Sequence, residues 1–391
     1  MSEHGEHDPL ADVPLFRELQ RVLFSGTGPI NWELARQVAI AVAAGERGDA
    51  EPADEDRAGL EQTVRAAELA VADLTGLEPP ASVSRVEPVR RAGWVEANVR
   101  GLKSVFEPSA ERLAQAMAEG GRHELAGEPV PGLEGLGGLE QLFSRMAPLL
   151  MGAQVGVVLG TFGRHALGQY ELPIPREDQA SLLFVIPNIA ELEREWDLEP
   201  AELRAWVALH ETVHAFQLDR AWVAPHFLEQ IRELAGSMTF DLSGLEERLT
   251  GLDLSDPDRL AEAMGSSGLF GQELTDEQRL LMRRVQALMA VAEGHADHVI
   301  EVLGTRMLRS RDRIEEAMRR RAEGRSHEER LIGQLLGLDL SADQHRLGRA
   351  FCERVVGATD EQTLARMWES AEALPSMPEL EEPTLWLSRT A

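Results

Sequence analysis

The chain has 391 residues, 43% of them hydrophobic and 27% charged, and its 67 acidic and 39 basic side chains give a formal net charge of −28. These numbers fit a soluble globular protein with room for a large core, and they exclude a nucleic-acid partner, because so acidic a surface repels phosphate backbones. Cys352 is the only cysteine, which excludes an intrachain disulfide and a cysteine-cluster zinc site.

Residues 1–9 are polar, lack the apolar run of a signal peptide and read as disordered, so a cytoplasmic location is expected. Helical periodicity follows from Val13 to Phe24 and from Asn31 to about Gly45, with Asn31 as an N-cap. Gly45 to Asp56 reads as an acidic loop. A third helix runs from about Arg57 to Thr75 and stops at Gly76, ahead of Pro79-Pro80. Ser82 to Val89 alternates like a short strand, Trp94 to Phe106 returns to helix, and residues 119–138 are rich in Gly and Pro, as a linker is. Met146 to Gly163 carries no charge, and Gly152, Gly156 and Gly160 fall four apart on one helix face. The length would span a membrane, where such a face is a close-packing motif. The acidic whole and the single segment favour a buried helix instead, its glycines allowing close approach to the helix described next.

Gly168 to Pro175 and Ser181 to Pro187 read as strands, and Ala180 to Pro187 is the strongest β signal in the chain. Tyr170, the only tyrosine, could donate to a developing oxyanion or simply pack with its hydroxyl bonded. Next comes Leu209-His210-Glu211-Thr212-Val213-His214-Ala215-Phe216-Gln217, which contains H-E-x-x-H. Two histidines four apart on a helix lie one turn apart on one face, so both imidazoles can reach one metal ion. Glu211 points about 100° away round the helix, placed to act as a general base rather than a ligand. Leu203, Trp206, Val207, His210, Val213, His214 and Gln217 share the apolar stripe, which puts both histidines toward the core. The alternative is a pair of core histidines bonded to backbone.

Trp222 to Leu234 reads as helix, and residues 236–278 as a Gly/Ser/Asp-punctuated insertion, a candidate lid. Asp276 to Leu308 is a long helix carrying Ala292-Glu293-Gly294-His295-Ala296-Asp297-His298. A catalytic zinc needs a third protein ligand. Glu293 and Asp297 share a face, whereas His295 points far from it and His298 roughly 140° away. Glu293 is therefore the expected ligand, with Asp297 accepting the free ring N–H of a ligand histidine and His295 a possible substrate contact. Gly294 would let the two helices approach. A solvated acidic face is the alternative. From Arg306 to Arg330 arginines interleave with glutamates, either as a solvated ion-paired helix or as a docking face for an acidic partner. Leu347 to Val356 is a last core helix, and the proline-punctuated Leu374 to Arg389 reads as an extended tail.

H-E-x-x-H followed on a later helix by Glu293-x-x-x-Asp297 resembles the gluzincin branch of the zincins. More narrowly, the chain resembles a zincin-like metallopeptidase family named for an association with coenzyme F420 biosynthesis. The stretches that carry the resemblance are Gly28 to Arg36, Arg91 to Asn98, Leu167 to Pro173, His210 to Gln217, Glu293 to Asp297 and Leu374 to Trp386, nearly the full length. The resemblance implies a zincin-like fold, a zinc hydrolase, and binding of extended substrate by strand addition at residues 181–188; an ordinary core strand there is the alternative.

The expectation is thus a mainly helical α+β zincin-like fold with a small sheet beside the metal helix. A disordered terminus at 1–9, a helical layer at 10–140, a metal-binding core at 141–305 with its lid at 236–278, and a C-terminal layer and tail at 306–391 would make up the chain. The expected activity is hydrolysis of a peptide or small amide with Zn²⁺ held by His210, His214 and Glu293, and Glu211 as base. The rivals are a zincin-fold binding or scaffold protein and a non-peptide metallohydrolase of cofactor metabolism. No membrane span is expected, and the oligomeric state is open.

Overall fold

A computed structural model describes residues 28–45, 48–124, 136–171, 181–237, 275–323 and 342–391. The expected disordered terminus, the helix at Val13 to Phe24, the centre of the 119–138 linker and nearly all of the 236–278 lid lie outside these residues. The fold is mainly helical with a small parallel sheet, as expected.

Helix α1, Trp32–Ala44, begins at Asn31, whose side-chain oxygen accepts from Leu34 N–H at 2.9 Å. Helix α2, Asp54–Thr75, starts where the Asp56 carboxylate accepts from Ala53 N–H and stops at Gly76, whose φ of 71° suits glycine. A 3-10 turn at Ala81–Ser84 leads into strand β1, Val86–Val89. Helix α3, Arg91–Glu124, runs well past Phe106, and α4, Leu136–His165, starts before the expected linker ends. Both ends of that linker are therefore helical.

The glycine face of α4 packs on α1, not on the helix that bears H-E-x-x-H. A Cβ at Gly152 would strike the Asn31 carbonyl oxygen, one at Gly156 the Ala35 oxygen at 2.6 Å, and one at Gly160 the Val42 side chain at 2.6 Å. Small residues here let two backbones touch, the same device that was expected elsewhere in the fold. Met146–His165 is long and apolar enough to cross a membrane, yet this face is already used inside the protein. Met146, Leu150 and Val157 are exposed.

Strand β2, Leu182–Val185, pairs in parallel with β1, Val86 opposite Leu182 and Val89 opposite Val185. After it come α5, Ile186–Glu195; α6, Pro200–Leu218; α7, Val223–Ser237; and α8, Asp276–Met307. The break at residues 308–310 divides the arginine-rich region into the end of α8 and a separate helix α9, Arg311–Glu323, whose exposed face carries pairs such as Arg319 with Glu316 at 2.7 Å. Helix α10 is Ala342–Ala358.

The closing segment is not an extended tail. After helix α11, Glu361–Ala365, it forms short helices α12, Met377–Glu381, and α13, Pro383–Thr390. Pro378 and Pro383 sit in the first turns of α12 and α13, where the missing N–H costs nothing and the fixed φ favours a helix start. One buried cluster runs from Ala39 to Trp386 and includes Trp94, Phe184, Phe216, Phe351 and Trp368.

Candidate functional site

Helix α6 carries the motif. From Leu203 to Leu218 most of its residues are buried, the polar Glu211, Thr212, His214 and Gln217 among them. It lies against α2 and α8, with Leu203, Val207, Leu209, Val213 and Phe216 buried. At its first turn the Glu202 carboxylate accepts from the N–H groups of Arg309 at 2.7 Å and Ser310 at 2.9 Å, so α6 is tied to the α8–α9 corner. Those bonds hold the Glu202 carboxyl below its ordinary range.

The two imidazoles stand one turn apart, their centroids 4.6 Å from each other and their planes at 71°. His210, with 24% of its side chain exposed, stacks on Trp206, and its Nδ1 lies 3.2 Å from Glu211 Oε1. His214 is fully buried. Its Nδ1 lies 3.0 Å from Gln217 Oε1, while its Nε2 is buried without a hydrogen-bond partner, 4.0 Å from Glu293 Oε1. Leaving a buried polar atom unpaired costs on the order of 1–3 kcal/mol. Burial, and then the neighbouring His210, push the His214 pKa well below its ordinary value, so the ring is neutral and presents a lone pair.

Glu293 comes from α8, which is nucleated by a capping box at Thr275 and Gln278. Two ligand atoms on one tetrahedral zinc are roughly 3.3 Å apart, so a modest contraction of the His214–Glu293 separation suits the ion. The donor set, two imidazoles and a carboxylate with one orphaned buried nitrogen, fits zinc. As they stand, no three or more His, Cys, Asp or Glu side chains among the described residues are drawn together into a closed ligand cluster.

The other candidates on α8 have different surroundings. His295 is buried, faces Gln217 through its Nδ1 at 2.8 Å and lies beside Trp368; it does not reach a surface where substrate would meet it. Burial drives its pKa to about 3. His298 is engaged by Glu361, Nε2 to Oε1 at 2.9 Å. The spacing on α8 predicts Asp297 as the partner of a ligand histidine; on His214 that place belongs to Gln217. Asp297 reaches the surface, with its carboxyl held above its usual range first by desolvation and then by the charge of Glu293. Gly294 also differs from expectation. It faces α10, where a Cβ would strike the backbone of Gly348 and Arg349, so the close approach joins α8 to α10 and not to α6.

Glu211 is buried beneath a turn of backbone. Tyr170 N–H donates to its Oε2 at 2.7 Å, and Gly168 lies so close that a Cβ there would strike the carboxylate. Trp94 Nε1 donates to Gly168 O at 2.7 Å, Asn98 donates to Trp94 O, and Gln169 donates to Asn98 Oδ1 at 3.3 Å. Two sequence stretches far apart in the chain, around Trp94 and around Gly168, thus combine to cover one carboxylate. Tyr170 donates its hydroxyl to Asp219 Oδ1 at 2.6 Å, and Ser82 donates to the other Asp219 oxygen.

Strand β2 cannot take substrate as another strand. One of its edges is paired with β1, and the other is held by the Gly168–Phe184 bridge and by Val185 N–H donating to Leu167 O at 2.9 Å. All four residues are buried. Strand addition needs a free edge, so the core-strand alternative describes this segment.

The zincin-like metallopeptidase family matches residues 30–387. The chain belongs to that family. No curated protein matches it significantly. Among solved structures it is similar to a crystal structure described as a proposed hydrolase with a novel fold from Chloroflexus aurantiacus, at 29% identity and a TM-score of 0.64, over 92% of this chain and 98% of that one. The family supplies the hydrolase class and a metal, typically zinc.

Sequence reasoning did not single out Gln217, Asp219 or Trp94. Gln217 follows His214 by three residues on the same stripe, and Trp94 lies in a stretch that carries the family resemblance; Asp219 had no such signal. The tyrosine's role can be separated from catalysis by Tyr170→Phe. The substitution removes the Asp219 bond but leaves the backbone N–H on Glu211, so a loss of about 1 kcal/mol in stability is expected with turnover unchanged. A fall in kcat at intact stability would instead assign the hydroxyl to the transition state.

Proposed function

We propose that this family member is a zinc-dependent metallohydrolase that cleaves a peptide or small amide. The observation that carries the proposal is the bare, buried Nε2 of His214 facing Glu293. His210, His214 and Glu293 would hold the ion. Bound zinc supplies Lewis acidity and brings the pKa of a water toward about 7. The neutral imidazoles contribute lone pairs, and Glu293 offsets part of the ion's charge. Glu211 takes a proton from water at its carboxylate and delivers it to the leaving amine. Its Oε2 is oriented by the Tyr170 N–H, and its burial beneath the Gly168 turn keeps bulk water away.

One observation favours a second reading. The covered position of Glu211, only 2% exposed, also suits a binding protein that keeps the fold and not the reaction. Elemental analysis of protein purified without added metal, followed by a peptide-library screen with and without a chelator, tests both. About one zinc per chain with chelator-sensitive cleavage supports the hydrolase. Full zinc with no cleavage of peptides or of other amides supports the binding protein. Absence of zinc overturns the metal assignment.

A further inference from the structure

His214, Gln217 and His295 form a buried chain that runs from the candidate metal position into the core. His214 Nδ1 lies 3.0 Å from Gln217 Oε1, and Gln217 Nε2 lies 2.8 Å from His295 Nδ1. All three side chains are at most 1% exposed, so water does not compete for these bonds. An amide oxygen only accepts and an amide NH₂ only donates. With its amide oriented this way, Gln217 requires a proton on His214 Nδ1 and a bare lone pair on His295 Nδ1. His214 then has no proton on Nε2, which is the atom left without a partner opposite Glu293.

We infer that Gln217, which bridges His214 and His295, is a positioning residue that fixes the tautomer of His214 and so keeps its Nε2 ready for a metal. Ligand histidines commonly receive this service from a carboxylate or a backbone carbonyl; here a neutral amide provides it. The relevance to zinc rests on the proposed function above, but the tautomer itself does not.

Long-range ¹H–¹⁵N imidazole spectra of the metal-free protein read the tautomers directly, with resonances assigned through His214→Asn and His295→Asn. The wild type is expected to show His214 protonated on Nδ1 and His295 protonated on Nε2. In Gln217→Glu, a carboxylate accepts from both rings. His214 keeps its tautomer, and His295 changes to the Nδ1–H form. Zinc affinity, read by chelator competition, is retained. In Gln217→Leu the bias on His214 disappears and zinc affinity falls by roughly 10–100-fold. A wild-type His214 protonated on Nε2, or Gln217→Leu with undiminished zinc affinity, overturns the inference. If Gln217→Leu does not fold, the wild-type and Gln217→Glu spectra decide alone. Expected tautomers in a wild type that binds no zinc would sustain the lock and defeat the metal assignment separately.

Discussion

Glu211→Gln is expected to keep its zinc and to lose hydrolysis by about 10²–10⁴-fold, the usual contribution of a positioned acid–base group. The substitution is close to isosteric. The Gln side-chain oxygen can still accept from Tyr170 N–H, which lies 2.7 Å from Oε2 in the wild type, and the packing beneath Gly168 is retained. What disappears is the ability to take and return a proton. Zinc content and melting temperature should therefore match the wild type while kcat collapses. Equal turnover by the variant would place the base elsewhere. A turnover lost together with the metal would mean that Glu211 serves the ion and not the water. An unchanged affinity for a partner, in a protein that cleaves nothing, would favour the binding protein.

The second large effect is expected at the carboxylate of α8. Glu293→Ala removes the anionic member of the proposed ligand set and leaves two neutral imidazoles, too few donors for a stable catalytic site. Stable zinc binding should be lost, as it should in His214→Ala. Asp297→Ala serves as the comparison. Asp297 is one turn from Glu293, but Gln217 occupies the Nδ1 side of His214. The loss of zinc affinity at Asp297 should therefore be smaller than at Gln217→Leu. Elemental analysis with full zinc in both Glu293→Ala and His214→Ala would move the metal to another part of the chain.

What could be read from the sequence was local. The Asn31 cap, the stop at Gly76, the apolar stripe of α6 and the long periodic run of α8 are set by residues within a turn or two of each other, and each appears in the fold. Partners across the fold were harder. The glycines at 152, 156 and 160 announced a close helix contact, but periodicity has no means of choosing α1 over α6. Gly294 raised the same ambiguity, which was settled by Gly348 of α10. The closing prolines signalled interruption, and whether a proline ends one helix or begins another depends on what precedes it. Asp297 was assigned by the spacing of α8 alone. Gln217, on α6 itself, wins the place beside His214 because one helical turn brings it there without any tertiary coincidence.

The parallel pairing of β1 with β2 has a consequence for how the protein acquires its activity during synthesis. Parallel strands need a crossover, and here Val86 meets Leu182 only after roughly a hundred intervening residues have been made. The bridge from Gly168 to Phe184, which positions the cover of Glu211, depends on that same β2 strand. Glu293 emerges later still, after His210 and His214 are already out. A nascent chain that ends before α8 thus holds the base together with the residues that cover it, but the two imidazoles without the carboxylate proposed to join them. With the proposed ligand set, competence would arrive in one late step, when α8 docks, rather than growing with length. A ribosome-bound chain that stops before α8 should be inert toward any peptide, including its own unfolded neighbours on the same polysome.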